Sequence, residues 1–425
     1  MNKPLPKAVI RKPLRQRTGV IAALDIGCSK IACFIASNDG NTGPVIQGLG
    51  LYASSGMRNG DVVDLEALSV AVGKAVEQAE QMAGLAIERV CVSLSGGRQK
   101  SIIRLHQIDG LDDRISERDM VRVLRMDIDQ PEAENRSVIH RMPLQYMVDG
   151  VRGIRDPLGM HGNSLGVDMA VITASTSTLR NLTTVVERNH LSLDSFCSSA
   201  YAAGLSALVD DEKDLGAMVI EMGAGVTSVG IFMEGHLVYL DSIPVGGLNV
   251  TSDIARGLST PMEEAERIKT LHGSVLTAIG DTDEMIVLPR IGESNEDAAQ
   301  QIELGLLGEI IRPRVEETFE MLLARMEKAG FSAAAGQRIV LTGGASQIPG
   351  LSEFLATLFD RSVRIGKPIG LVGMADATRG PAFAATAGLL RFSSVEHEME
   401  PRLNKRGASR QNLFWRIGEW FNTHL

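Results

Sequence analysis

Residues 23–36, ALDIGCSKIACFIA, and residues 219–232, VIEMGAGVTSVGIF, align position by position at an offset of 196. Each copy is an apolar strand, a carboxylate (Asp25 or Glu221), one apolar residue, a glycine (Gly27 or Gly223), a few small residues and a second apolar strand. Strand, glycine turn and strand in that order predict a β-hairpin. A repeat at this distance predicts two similar α/β lobes. The 425 residues suffice for both, since a domain takes roughly 150.

Such a pair of turns has a specific chemistry. A glycine-containing turn presents successive backbone N–H groups as a concave nest that suits phosphate oxygens. A carboxylate at the strand end can hold Mg²⁺, usually through water, because Mg²⁺ dehydrates reluctantly. Asp25 and Glu221 are the candidate metal residues, and two such turns from two lobes would grip a polyphosphate from both sides. Cys28, Ser29 and Lys30 complete the first turn; Ala224, Gly225, Thr227 and Ser228 complete the second. Lys30 adds a point charge, and the serines and threonine add hydroxyls. Either hairpin by itself reads first as an ordinary structural turn. The matched pair, followed by a third element, shifts the balance to phosphate binding. That third element, IVLTGGASQIPGL at 339–351, sets Gly343 and Gly344 at a strand end, where no side chain keeps a planar base from the backbone.

The rest of the chain fits this frame. Asp64–Ala83 reads as a helix, with apolar residues at spacings of three and four, Asp64 as N-cap and Gly84 as its end. Residues 86–168 have a different texture of strand-like pieces and charged stretches, including a short helix at Ser116–Met126, and are read as an inserted α+β subdomain. Helices are expected at Val250–Leu258, at Met262–Leu271 and from about Ala298 to Lys328, where Pro313 marks a kink or junction. The expected organisation is a basic arm at 1–17; a first lobe core from 18–85, 169–198 and 374–392; a second lobe core from 199–249 and 305–373; a small subdomain at 250–304; a linker at 393–410; and a terminal helix at 411–425.

Composition narrows the function class. Hydrophobic residues at 44% and charged residues at 22% are ordinary for a soluble globular chain and exclude a disordered or polytopic membrane protein. The net charge of −9 argues against general nucleic-acid binding. Cys28, Cys33, Cys91 and Cys197 have no CxxC spacing and read as small thiols in a reducing compartment. No stretch reaches the ~18 apolar residues that a spanning helix needs. Residues 1–17 carry six basic residues and no acid, and no apolar signal segment follows them. They are read as a solvated arm, whose charge could also meet an acidic partner or lipid.

Together the three glycine elements resemble the actin/Hsp70/sugar-kinase ATPase superfamily. The finer pattern, with GGLNVTSDIARGLSTPMEEAERIK at 246–269 the most specific block, resembles the bacterial FtsA cell-division family over about residues 18–392. The resemblance implies a two-lobed actin-like fold of duplicated ribonuclease-H-like lobes with ATP and Mg²⁺ in the cleft. It assigns Asp25, Gly27, Cys28, Ser29 and Lys30 to the first phosphate loop and Glu221, Gly223, Ala224, Gly225 and Thr227 to the second. Glu266 and Lys269, three apart on one helix face, would reach the ribose, and Gly343 and Gly344 the adenine. It further implies filament formation, tethering of the tubulin-like GTPase FtsZ to the cytoplasmic face of the inner membrane, and later division proteins as partners of the insert. Arg290, Arg312 and Arg314 are basic candidates for an acidic FtsZ peptide, although each taken alone reads first as a plain surface arginine. Two departures stand out. Glu221 replaces the usual Asp, and Ser198-Ser199 stand where actin-like hydrolases carry a water-orienting Gln or Glu. Because phosphoryl transfer is mostly positioning, turnover is expected to be slow.

Both tryptophans lie within the last eleven residues. At 100° per residue, Leu413, Phe414, Ile417, Trp420, Phe421 and Leu425 fall on one arc of about 140°, with Trp415 off the stripe. Residues 402–425 carry five basic residues and one acid. A helix of about 20 Å is too short to span a bilayer. It suits the interface of anionic lipids, as well as docking on its own domain or on a partner; the charged linker and the resemblance favour lipid. Rival functions are a small-molecule kinase of the same fold, an actin-like adaptor of a pilus-assembly machine, and an Hsp70-type chaperone.

Overall fold

In both copies of the repeat a run of β-branched and small apolar residues is interrupted by glycine, and each copy folds as a hairpin. The computed structural model describes residues 16–112, 114–126, 135–276, 285–291, 300–331 and 336–395. The first lobe opens with the antiparallel strands β1 (Gly19–Ile26), β2 (Lys30–Asn38) and β3 (Val45–Ala53). A small hairpin, β4 (Met57–Arg58) and β5 (Asp61–Val62), leads into α1 (Leu65–Ala83) and β6 (Arg89–Leu94). The inserted unit follows as β7 (Lys100–Asp109), α2 (Glu117–Leu124), β8 (Arg136–Val148), β9 (Val151–Ile154) and β10 (Ser164–Ser175). The chain returns through α3 (Thr176–Arg188), β11 (Ser192–Ser198) and α4 (Ser199–Ala207).

The second lobe runs α5 (Asp210–Leu215), β12 (Ala217–Met222), β13 (Thr227–Met233), β14 (His236–Ile243), α6 (Gly247–Gly257) and α7 (Met262–His272). The pair β15 (Met285–Leu288) and β16 (Gln300–Glu303) precedes the long α8 (Leu304–Lys328). Then come β17 (Arg338–Thr342), α9 (Leu351–Phe359), β18 (Ser362–Ile365) and, closing onto the first lobe, α10 (Ala384–Ser393).

The duplication is topological as well as local. The first sheet has the order β11-β6-β1-β2-β3, and the second contains β18-β17-β12-β13-β14. In each, the hairpin strands are antiparallel and the next two strands run parallel to the first. The hairpin registers match at the same offset: Asp25 opposes Ala32, and Glu221 opposes Ser228. Parallel strands buried on both faces read as continuous apolar runs, which is how β12 and β17 read.

Several expected boundaries shift. Arg89–Leu94 was expected inside the insert but pairs with β1 and β11 in the first sheet, so the insert begins after it. Strand β10 belongs to the insert's sheet, not to a resumed βα pattern. That sheet, order β7-β10-β8-β9, joins the second lobe's edge through the Lys100–Asp241 pair. Ser101 fixes the join: its hydroxyl donates to the Leu240 carbonyl at 3.0 Å and accepts the Leu240 N–H at 2.9 Å. Helix α6 starts three residues early because the carbonyls of the second glycine turn accept its first N–H groups. Helix α8 starts late, after β16, and runs through Pro313. Asp64 caps α1 as expected, accepting the Glu66 and Ala67 N–H groups at 3.0 Å; such a cap contributes about 1 kcal/mol. Gln16 and Arg17, expected in the arm, belong to the fold.

One aliphatic core lies around Leu24, Ile31, Val72 and Val92 and reaches across to Val219, Phe232 and Val340 of the second lobe; another lies around Ile220, Ile231, Ile311 and Leu341 within the second lobe. Every such side chain taken out of water contributes roughly 1.5–3 kcal/mol. Helices α4 and α10 lie against each other between the lobes, so close at Gly388 that a Cβ there would fall 1.7 Å from the Ala202 carbonyl oxygen.

Candidate functional site: two glycine turns and a carboxylate pair

The two hairpin turns close in the same way. The Gly27 N–H donates to the Lys30 carbonyl at 3.1 Å, and the Gly223 N–H to the Val226 carbonyl at 2.9 Å, the same residues offset by 196. The turns also touch. A Cβ on Gly225 would lie 2.6 Å from Cys28 Sγ, so only glycine lets the second turn approach the first this closely. The carbonyls of Gly223 and Ala224 accept the N–H groups of Gly247 and Leu248 at 3.0 and 2.7 Å. The carbonyl edge of the turn is thereby tied to the N-terminus of α6.

Asp25 is held by hydroxyls on both oxygens. Oδ1 accepts Ser93 Oγ at 2.6 Å and Oδ2 accepts Thr386 Oγ1 at 3.0 Å. Glu221 is buried, and its Oε2 accepts Ser199 Oγ at 3.0 Å. Burial pushes the Glu221 carboxyl up to about 7; the charge of Asp25 adds to the rise, and the Ser199 hydrogen bond and Lys30 oppose it. Two carboxylates that repel each other at the mouth of two N–H-rich turns suit a cation completed by water and phosphate oxygens. Among the described residues no group of three or more His, Cys, Asp or Glu could hold a metal by itself. Lys30 donates to the Ala382 carbonyl at 2.5 Å and lies over the Phe383 ring, 4.7 Å from its centroid.

The other expected residues divide. Ser29 is exposed at the first turn. The Cys28 thiol is half-buried, pushed up by burial, and accepts the Gly60 N–H at 3.3 Å. Thr227, expected to offer its hydroxyl to phosphate, is fully buried and donates instead to the Val245 carbonyl at 2.8 Å. Lys269 is buried and turned inward, donating to the Gly247 carbonyl, to Thr251 Oγ1 and to Glu266 Oε2 at 3.2, 2.8 and 2.6 Å. Of the expected ribose pair, Glu266 alone is exposed. Gly343 has φ of 90°, and a Cβ there would meet the Met222 carbonyl oxygen at 2.4 Å; a Cβ on Gly344 would meet only Ala382, at 3.9 Å. The backbone at Gly344 thus offers an open, flat approach.

Arg290 and Arg312 are exposed. Arg314 is engaged, donating to Asp253 at 2.5 Å and also pairing with Glu317; with Asp253, Ile310, Pro313 and Glu317 it lines an open cavity of about 390 Å³. Leu413, Phe414, Trp415, Ile417, Trp420, Phe421 and Leu425 lie outside the described residues. No helix among the described residues is long and apolar enough to cross a membrane.

Sequence reasoning missed three contributors. Ser93 and Thr386 hold Asp25 from positions 68 and 361 residues away. His140, on the inserted β8 and fully buried, accepts the Ser198 N–H with Nε2 at 3.0 Å. It reaches the strand–helix turn whose next residue, Ser199, holds Glu221. Long-range packing brings these side chains together: strand pairing for Ser93 and His140, and the docking of α10 on β1 for Thr386.

Matched lobes, converging glycine turns and opposed carboxylates define an actin-like two-lobed fold. Solved structures agree: the PilM–PilN type IV pilus biogenesis complex matches with a TM-score of 0.63 at 17% identity over 90% of this chain and 100% of that one. MreB5 of Spiroplasma citri bound to ADP matches with a TM-score of 0.53 at 14% identity over 88% and 96%.

The family model "Cell division protein FtsA" matches residues 218–388, and "SHS2 domain inserted in FTSA" matches 96–173, the stretch that the sheet pairing assigns to the insert. Curated FtsA proteins are similar along nearly the whole length. That of Agrobacterium fabrum is 40% identical over 96% of both chains, and that of Escherichia coli K12 is 30% identical over 94% of this chain and 95% of its own. The chain belongs to the FtsA family of cell division proteins.

Proposed function

We propose that this protein binds Mg-ATP between its lobes, assembles into actin-like filaments and tethers the FtsZ ring to the cytoplasmic face of the inner membrane at the division site. The observation that carries this reading is the contact of the two glycine turns at Gly225 and Cys28, with Asp25 and Glu221 opposed beside it. Bound Mg-ATP would supply a polyphosphate and a cation that neutralises the two carboxylates. Asp25 and Glu221 would hold the metal through water, with Ser93, Thr386 and Ser199 fixing their oxygens. The N–H groups of the turns would bind phosphate oxygens, Glu266 the ribose, and Gly343 and Gly344 the adenine face. Lys269 serves the site at one remove, clamping α7 to the start of α6.

Ser199 is committed to Glu221 and has no amide or carboxylate with which to orient a water, so turnover falls well below the ~1 s⁻¹ of an ordinary enzyme. The exposed Arg290 and Arg312 offer charge to an acidic FtsZ peptide, the insert offers a separate face to later division proteins, and residues 411–425 supply the lipid contact. Many tails on one filament share a surface, so weak single attachments become strong together.

Co-sedimentation tests this directly. With Mg-ATP and anionic vesicles, the full chain should carry FtsZ into the vesicle pellet. A chain ending at residue 410 should still bind nucleotide yet leave FtsZ in the supernatant. Vesicle-bound protein that recruits no FtsZ contradicts the tether, and unchanged sedimentation after the truncation contradicts the terminal attachment.

A further inference from the structure

The inserted unit meets the candidate site at one rung of the first sheet. Strands β6 and β11 are parallel and end together, with Leu94 opposite Ser198. Gln99, buried and one residue before β7, donates with Nε2 to the Leu94 carbonyl at 2.7 Å and to that of Ser95 at 3.2 Å. His140, buried on β8, accepts the Ser198 N–H with Nε2 at 3.0 Å. Both side chains belong to the stretch matched as the inserted domain. The insert therefore holds both strands of that rung, each by its own side chain.

The residues beside the rung fix the two carboxylates. Ser93, one before Leu94, donates to Asp25 Oδ1 at 2.6 Å and accepts the Ile26 N–H at 3.1 Å. Ser199, one after Ser198, donates to Glu221 Oε2 at 3.0 Å. Asp25 comes from the first lobe and Glu221 from the second, so one rung serves both halves of the pair. The base of the insert spans the lobes as well. Gln99 ties it to β6, while Lys100 pairs with Asp241 and Ser101 exchanges two hydrogen bonds with Leu240 on β14. A cation held by carboxylates depends on where their oxygens stand, and groups behind the ligands set that position. Losing such a group typically weakens metal binding about 10–100-fold.

We propose that Gln99 and His140 are positioning residues for Mg-nucleotide. Through them the insert sets the spacing of Asp25 and Glu221 across the cleft, and with it the Mg²⁺ concentration that ATP binding requires. This rests on the reading that the two carboxylates face a Mg²⁺-bound polyphosphate.

The test is ATP retention by the full chain in equilibrium dialysis as Mg²⁺ is raised, with the urea midpoint of each variant measured beside it. His140→Leu and Gln99→Met keep bulk and remove the hydrogen bond; His140→Gln returns an acceptor on a side chain of similar reach. Val121→Ser, an exposed change on α2, is the control. His140→Leu and Gln99→Met should each need on the order of tenfold more Mg²⁺ for half-retention. His140→Gln should move back toward the parent, and Val121→Ser should match it. Folded His140→Leu and Gln99→Met with the parent's Mg²⁺ midpoint overturn the proposal however far their urea midpoints fall, since both residues would then serve stability alone. A shift in Val121→Ser equal to theirs overturns it too, because any disturbance of the insert would then suffice. Should His140→Leu not fold, Gln99→Met decides by the same criterion. Failure of the underlying reading looks different and takes the inference with it: the parent itself would retain no ATP, or would retain it independently of Mg²⁺.

Discussion

Asp25 and Glu221 hold equivalent places, yet their chemistry diverges by one methylene. Asp25 is fixed by two hydroxyls, whereas Glu221 is buried, held by Ser199, and has a carboxyl pushed up to about 7 against an ordinary 4.5. Between those values the nucleotide-free folded chain binds a proton that the unfolded chain has released. Its stability therefore falls as pH rises from about 4.5 to about 7 and is level outside that window, as far as this group goes. Glu221→Gln should flatten that slope in urea denaturation measured across the range; an unchanged slope removes Glu221 as its source. His140 makes a second residue-scale case. Its Nε2 is the buried acceptor for the Ser198 N–H, and its ring packs edge-on against Tyr201 and Phe392. His140→Leu keeps bulk but strands that N–H and should cost about 1–3 kcal/mol; a denaturation midpoint equal to the parent's contradicts the role. At this scale the sequence disclosed the carboxylates, because each ends a strand before a glycine. It hid the inward turn of Lys269, because i,i+3 spacing names a helix face but not the carbonyl that a long side chain finds, and that of Thr227, because its partner Val245 lies beyond the next strand.

Elements were legible where their signal is local. Helix α1 shows apolar residues every three or four positions between an Asp cap and a left-handed Gly84. The hairpins show two apolar runs around one turn. Where pairing is long-range, local texture misleads: β6 lies beside β1 through parallel pairing that nothing in residues 89–94 encodes, and β10 extends the insert's sheet although its run VDMAVITA reads like a lobe strand. Helix α8 starts later than its apolar pattern suggests because residues 300–303 pair with β15 rather than extend the helix. The tightest element-scale packing is α4 against α10 at Gly388. Gly388→Val should force these helices apart, costing about 1–3 kcal/mol or more. It should also weaken nucleotide binding, since Thr386, two residues away, holds Asp25. Parent-like melting and nucleotide affinity together would show that the crossing is not tight.

At the scale of the whole molecule, two five-strand units of one topology face each other across α4 and α10, and the insert, covalently part of the first lobe, continues the sheet of the second. Each lobe contributes one turn and one carboxylate, so neither is a complete site. The most direct test is equilibrium dialysis of the purified full chain against radiolabelled ATP over a range of Mg²⁺, with Gly225→Val, a side chain wedged against Cys28, as the matched variant. The parent should retain about one ATP per chain in a Mg²⁺-dependent manner, and the variant should lose it while staying folded by circular dichroism. A folded parent that retains no adenine nucleotide at any Mg²⁺ concentration, or a variant that binds as well as the parent, would contradict the assignment of the interlobe cleft.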